Sequence, residues 1–133
     1  MLIPHGTIIA VADGQHLALF RNSGTEAEAK LESLPLPSLD ERNHSAGGHH
    51  TPTASEPSHH RMEEDTHSAA VASWLNREVL AHRIGDLVII APPATLGEMR
   101  LHYHKQLVQV LRRELAKELT GRSAAEVLAA LRA

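Results

Sequence analysis

Asp86 to Ala91, DLVIIA, has no polar residue after its first, is too short for a buried helix, and is closed at once by Pro92-Pro93. A strand that is apolar on both faces must be covered on both, so this segment predicts the central strand of a layered α/β domain. The flanks agree. Upstream, a helix is expected from Ser58 to Arg61 through about His82, with Val71, Leu75 and Val79 beside Trp74 on its apolar stripe and Glu63, Glu64 and Asp65 towards the end that favours anions. Downstream, Thr95 and Glu98 have the spacing of a capping box, which predicts a short helix from Thr95 to about His102 springing from the strand's carboxyl end.

The chain opens with shorter strands. TIIAVAD, residues 7 to 13, is a β-branched run closed by Asp13-Gly14, and HLALFR, residues 16 to 21, follows it, so two strands around a tight turn are expected. Asn22-Ser23-Gly24 marks a second turn. Glu26 to Leu34 alternates Ala27, Ala29 and Leu31 with charged residues, the pattern of a half-buried third strand, although its Ala, Glu, Lys and Leu content also suits a helix. At the other end, Leu107, Leu111, Leu115 and Leu119 recur every four residues; this favours a helix, yet the last three also share one face of a strand. Ser123 and Glu126 then cap a final helix after Gly121.

Between the third strand and the long helix, periodicity vanishes. Prolines at 35, 37, 52 and 57 punctuate a segment rich in Ser, Thr, Gly and His, and five of the eleven histidines fall between His44 and His60. A long flexible loop, about residues 35–60, is expected here, and loops of that length inside a compact domain are usually functional or disordered. At 133 residues the chain holds one domain, 1–133, and no second core.

Composition removes several functions. With no cysteine there is no disulfide framework, thiolate cluster or thiol nucleophile. Thirteen Lys and Arg against sixteen Asp and Glu produce no overall field that would draw a polyanion. Neither a leader peptide nor an apolar run long enough to span a bilayer is recognisable, so a soluble, cytoplasmic protein without membrane contact is expected.

LIPHGTIIAVADGQHLALFRN at the start and DLVIIAPPATLGEMR later resemble, in order, the two signature segments of the bacterial host attachment protein family, itself similar to the central domain of archaeo-eukaryotic peptide release factors and their Pelota-type relatives. The resemblance implies a single α/β domain with a mixed β-sheet, helices packed on it, strands near 7–13, 15–21, 27–34 and 86–91, and a further strand near 111–119 in place of a helix. It also implies a meaning for the loop. In release factors the connection between the third strand and the following helix carries Gly-Gly-Gln, which enters the peptidyl-transferase centre; Gly47-Gly48-His49 stands at the comparable place. Histidine differs from glutamine in shape and charge, and no codon-reading domain accompanies this one, so hydrolytic termination is not implied.

The leading expectation is a non-enzymatic, translation-associated module that binds ribosome or tRNA through Gly47, Gly48, His49 and His50 at the loop tip, with Arg42 and Arg61 on phosphate and Arg77 and Arg83 nearby. A structural or interaction protein, acting with a protein partner in attachment to host cells, is the alternative. A hydrolase is the second alternative, at a ligand edge of the sheet formed by Asp13, Pro93, Thr95 and Glu98, with Asp86 as a carboxylate partner for Asp13. No catalytic residue, cofactor or metal is assigned: His49-His50 and His59-His60 are adjacent histidines on a floppy segment, which lacks the fixed geometry that metal ligands need. Trp74 is expected in the core, and Arg100, His102 and His104 on a solvated face.

Overall fold

The computed structural model describes residues 2–39 and 56–133, the side chains of 56–60 excepted. Arg42, Gly47, Gly48, His49 and His50 therefore lie outside the described residues, as do the side chains of His59 and His60. Five strands form one sheet: β1 (Ile8–Ala12), β2 (Leu17–Asn22), β3 (Leu31–Ser33), β4 (Leu87–Ala91) and β5 (Leu111–Ala116). Four helices accompany them: α1 (Glu56–Leu80), α2 (Pro93–Arg100), α3 (Lys105–Val110) and α4 (Ala124–Arg132).

The sheet order is β3-β2-β1-β4-β5. β2 runs antiparallel to both its neighbours, while β1, β4 and β5 are mutually parallel. It follows that β1, β3, β4 and β5 all point the same way. The sheet is mixed, as expected, and one rim collects the carboxyl ends of four strands.

Strict alternation divides the sheet residues between two cores. Ile8, Ala10, Ala12, Leu19, Leu87, Ile89 and Ala91 face Val71, Ala72, Leu75 and Val79 of α1, Leu96 and Met99 of α2, and Leu107 of α3. Ile9, Val11, Phe20, Leu31, Val88 and Ile90 face the other way, onto Val127 and Leu131 of α4 and onto Ile3. β4 is buried at every position, which is what its uninterrupted aliphatic run requires. Burying one such side chain stabilises the fold by roughly 1.5–3 kcal/mol. In α1 the small residues Ser68, Ala69, Ala70 and Ala72 are buried, letting the helix pack closely against α2 and α3.

Several expectations shift. α1 starts at Glu56 and takes up residues 56–60 that were expected in the loop, so Glu63, Glu64 and Asp65 lie two turns inside it. The third strand is confined to Leu31–Ser33, and neither the longer strand nor the competing helix forms over 26–30. The cause is Asn22. Its side-chain oxygen accepts from the backbone N–H of Gly24 at 2.9 Å and of Lys30 at 3.0 Å, cinching residues 23–30 into a loop before pairing can begin.

At the tail both readings hold in part: Lys105–Val110 is helical, and the chain turns directly into the strand at Leu111. β5 meets β4 with a register shift between Leu87 and Val88, so that Leu87 pairs with Leu111 but Val88 with Arg113. Arg112, the extra residue, is bonded through Nε to Asp86 at 2.7 Å. The final helix has the expected reciprocal cap between Ser123 and Glu126.

The capping box at Thr95 is not formed. Pro92 occupies the N-cap and Pro93 the first helical position, where a missing N–H is harmless and the fixed φ suits the helix, so α2 begins two residues earlier and Thr95 lies buried within its first turn.

One backbone conformation is strained. His82, just past α1, has φ 62°, and the bonds Arg83 N–H to Glu78 C=O and His82 N–H to Val79 C=O mark the left-handed helix ending that glycine usually makes. His82→Gly should raise stability by up to about 1 kcal/mol, measured by urea unfolding, because it relieves the Cβ clash while adding chain entropy to the unfolded state.

Candidate functional site at the carboxyl rim of the sheet

β3 points towards the rim where the parallel strands end, and α1 crosses that rim near Glu64 and His67. Two contacts fix α1 there. A Cβ on Gly14 would lie 2.8 Å from Cγ of Glu64, so Glu64 closes directly over the β1–β2 turn. Three residues on, Nε2 of His67 donates to the carbonyl of His16 at 3.1 Å. At about 1.5 Å per residue, the helix axis runs roughly 12 Å from Glu64 back to Glu56.

Asp13 follows β1 and organises the turn. Its Oδ1 accepts from the backbone N–H groups of Gln15 at 2.8 Å and His16 at 2.6 Å, and both carboxylate oxygens lie 3.1 Å from Nδ1 of His16. Oδ2 also accepts from the hydroxyl of Thr120 at 2.8 Å, which ties the first hairpin to the segment after β5. The Thr120 oxygen lies 2.5 Å from Oε1 of Glu118 as well, and its single proton serves one carboxylate at a time.

Burial by itself would raise the Asp13 pKa, but the hydrogen bonds from Gln15, Thr120 and His16 outweigh it and hold the carboxyl below its usual range. A carboxyl with a depressed folded pKa contributes stability above its unfolded pKa, near ~4, and loses that contribution as pH falls through the folded value. Asp13→Asn should therefore flatten the decline in melting temperature below about pH 4, relative to the parent protein, in a thermal series from pH 7 to 3.

The residues expected at the ligand edge are found around this rim, with different occupations. Pro93 is exposed at the start of α2, and Thr95 is 8% exposed. Glu98 accepts from Nε2 of His102 at 3.1 Å, one helical turn on. Asp65 of α1 has a raised pKa, first from burial and then from the charges of Glu98 and Glu64, with Arg61 opposing. The rim is thus acidic, through Asp13, Glu64, Asp65, Glu98 and Glu118. Among the described residues no three His, Asp or Glu side chains converge as a metal site would need.

Asp13 and Asp86 are not brought together. β1 and β4 are parallel, and Asp86 stands at the opposite, amino end, its carbonyl accepting from the N–H of Ile8 and its carboxylate from Arg112. Arg61 is exposed on α1. Arg83 is paired with Glu78 and Arg100 with Glu114, while the His104 ring caps α3 by accepting from Gln106 N–H at 3.0 Å, so each of these side chains has a partner within the fold. Arg100 donates two bonds to Oε1 of Glu114 while the Tyr103 hydroxyl donates to Oε2 at 2.8 Å; burial, then that carboxylate, push the Tyr103 pKa well up. No helix among the described residues is long and apolar enough to cross a membrane.

Sequence reasoning missed Asn22 as more than a turn residue, and it missed Thr120 entirely. Nothing local signals Thr120, since its partner Asp13 is 107 positions away.

A mixed five-stranded sheet flanked by helices, with a long connection between β3 and α1, is the architecture expected of a release-factor-like domain. The sequence profile described as bacterial archaeo-eukaryotic release factor family 12 matches residues 6–131, and the chain belongs to that family. No curated protein matches the chain.

Proposed function

We propose that the protein is a non-enzymatic module of translation that contacts the ribosome or a bound tRNA through the β3–α1 connection. Family membership over nearly the whole chain, with Gly47-Gly48-His49 in that connection, carries the reading. Two consecutive glycines allow a backbone path that larger residues resist, and they let main-chain groups approach RNA closely. Arg42 and Arg61, on either side of the tip in sequence, supply phosphate contacts. The acidic rim repels phosphate, so we assign the contact to the connection and not to the sheet edge.

Fractionation of ribosomes from cells expressing the native protein, at neutral and mildly acidic pH, tests this. A peak of the protein with ribosomal particles supports it, and exclusive recovery at the top of the gradient rejects it. The family resembled by the two signature segments is associated with attachment of bacteria to host cells, a phenotype that specifies no biochemical step. If the module acts there through a protein partner with the loop as mere linker, deletion of residues 43–58 leaves partner binding intact.

A further inference from the structure

On the same face of the sheet as α1, but towards the opposite rim, Trp74 forms one wall of a cavity of about 260 Å3. Gly6, Ile8, Leu19, Leu34 and Ile84 supply its apolar surface, and Arg21, Glu78 and Arg83 its polar groups. Trp74 packs only partly against the core, so this ring is not spent on filling the interior as its helical position suggests. Ten residues of helix separate it from Glu64, a distance of roughly 15 Å, which sets the cavity apart from the β1–β2 turn that Glu64 covers.

The polar groups have a definite polarity. Arg21 is exposed on β2 and holds no ion pair among the described residues. Arg83 is exposed over most of its side chain and donates from Nε and Nη2 to a single oxygen of Glu78, Oε2, at 2.9 and 2.7 Å. Oε1 of Glu78 carries no hydrogen bond among the described residues. One aromatic wall, one acceptor oxygen and two exposed guanidiniums, that of Arg83 held by Glu78, are the complement of a planar ring that bears N–H groups and is flanked by phosphates. The volume is just under the range of whole small-molecule ligands, roughly 300–1,000 Å3, which suits one base of a strand. A larger cavity among the described residues, about 540 Å3 between α1 and α3, has His82 and His104 among aliphatic residues and no guanidinium, and lacks this combination.

We propose that this cavity receives an unpaired purine of single-stranded RNA, stacked on Trp74, with Arg21 and Arg83 against the flanking phosphates and Oε1 of Glu78 accepting an N–H of the base. The choice of RNA rests on the translational reading above, whereas the stacking chemistry does not.

Trp74 is the chain's one tryptophan, so its emission reports on the cavity directly. Titration with a purine-rich RNA ten-mer should quench it saturably, and a uridine ten-mer should do so much more weakly. Arg21→Ala and Trp74→Leu should each weaken binding of the labelled purine ten-mer, followed by anisotropy, by roughly tenfold or more, while Trp74→Phe keeps most of it. Unchanged affinity in Arg21→Ala and Trp74→Leu, or no quenching by purine RNA, overturns the proposal. If Trp74→Leu does not fold, exposed Arg21→Ala and ring-preserving Trp74→Phe decide it. A purine mononucleotide that binds as tightly as the ten-mer overturns the assignment to a strand. Saturable quenching by the ten-mer without ribosomal association would leave the cavity standing and remove the translational reading; association untouched by Arg21→Ala, with no quenching, would do the reverse.

Discussion

Replacing Gly47 and Gly48 together with alanine should shift the protein out of the ribosomal fractions, with an affinity loss of roughly tenfold or more, or at least about 1.4 kcal/mol. Its thermal midpoint should stay within about 2 °C of the parent. The two halves of this result have separate causes. Alanine forbids most of the positive-φ backbone that a glycine pair can adopt at a close approach to RNA. Among the described residues, both faces of the sheet are already covered by helices that lie elsewhere in the chain, so the fold has little to lose. Unaltered sedimentation of the double variant would remove the glycine pair from the mechanism.

Asn22→Ala should be the most damaging single substitution outside the aliphatic core, lowering stability by on the order of 3 kcal/mol and the midpoint by about 10 °C. Asn22 is fully buried at the end of β2. Its Nδ2 donates to the carbonyl of Ile3 at 2.8 Å, with the carbonyls of Pro4 and Thr25 each at 3.3 Å, and its Oδ1 accepts from Gly24 and Lys30. Alanine strands all of these backbone groups where water cannot readily replace the amide, and an unmet buried polar group costs more than a hydrogen bond adds. The loop it gathers has no slack: a Cβ at Gly24 would collide with the carbonyl oxygen of Glu28. Chemical unfolding with an unchanged m-value would confirm that the loss lies in the native state; a decrease below 1 kcal/mol would show that the loop relaxes around the gap.

What the sequence reveals depends on whether a signal is local. β4 is read directly, because an uninterrupted aliphatic run admits few structures, and so is the cap of α4, since Ser123 and Glu126 satisfy one another within four residues. β5 is different. Its leucines are spaced for a helix, and only pairing with β4 across a break in register makes it a strand; the family resemblance supplied what periodicity could not. The start of α2 was misplaced because Thr95 and Glu98 have cap spacing, but a proline pair upstream had already set the helix geometry. Strand ends and the turns that follow them point to one rim for Asp13 and Pro93, whereas Thr120 and Glu64 leave no local signal. They reach Asp13 and Gly14 only through tertiary folding. Trp74 fits a core stripe by its spacing; that its ring borders an open cavity with Arg21 follows from the distance between α1 and β2, which no spacing encodes.

The misstep of β5 against β4 also governs how copies of the molecule behave when crowded. A long flat outer strand would offer an unbroken ladder on which a neighbour could zip, and fibres begin that way. Here this edge strand is out of phase near its start and carries the Arg112–Asp86 ion pair at the step, so a visiting chain finds neither a matching ladder nor a featureless surface. Straightening that step and removing its charges would turn this edge into a seed.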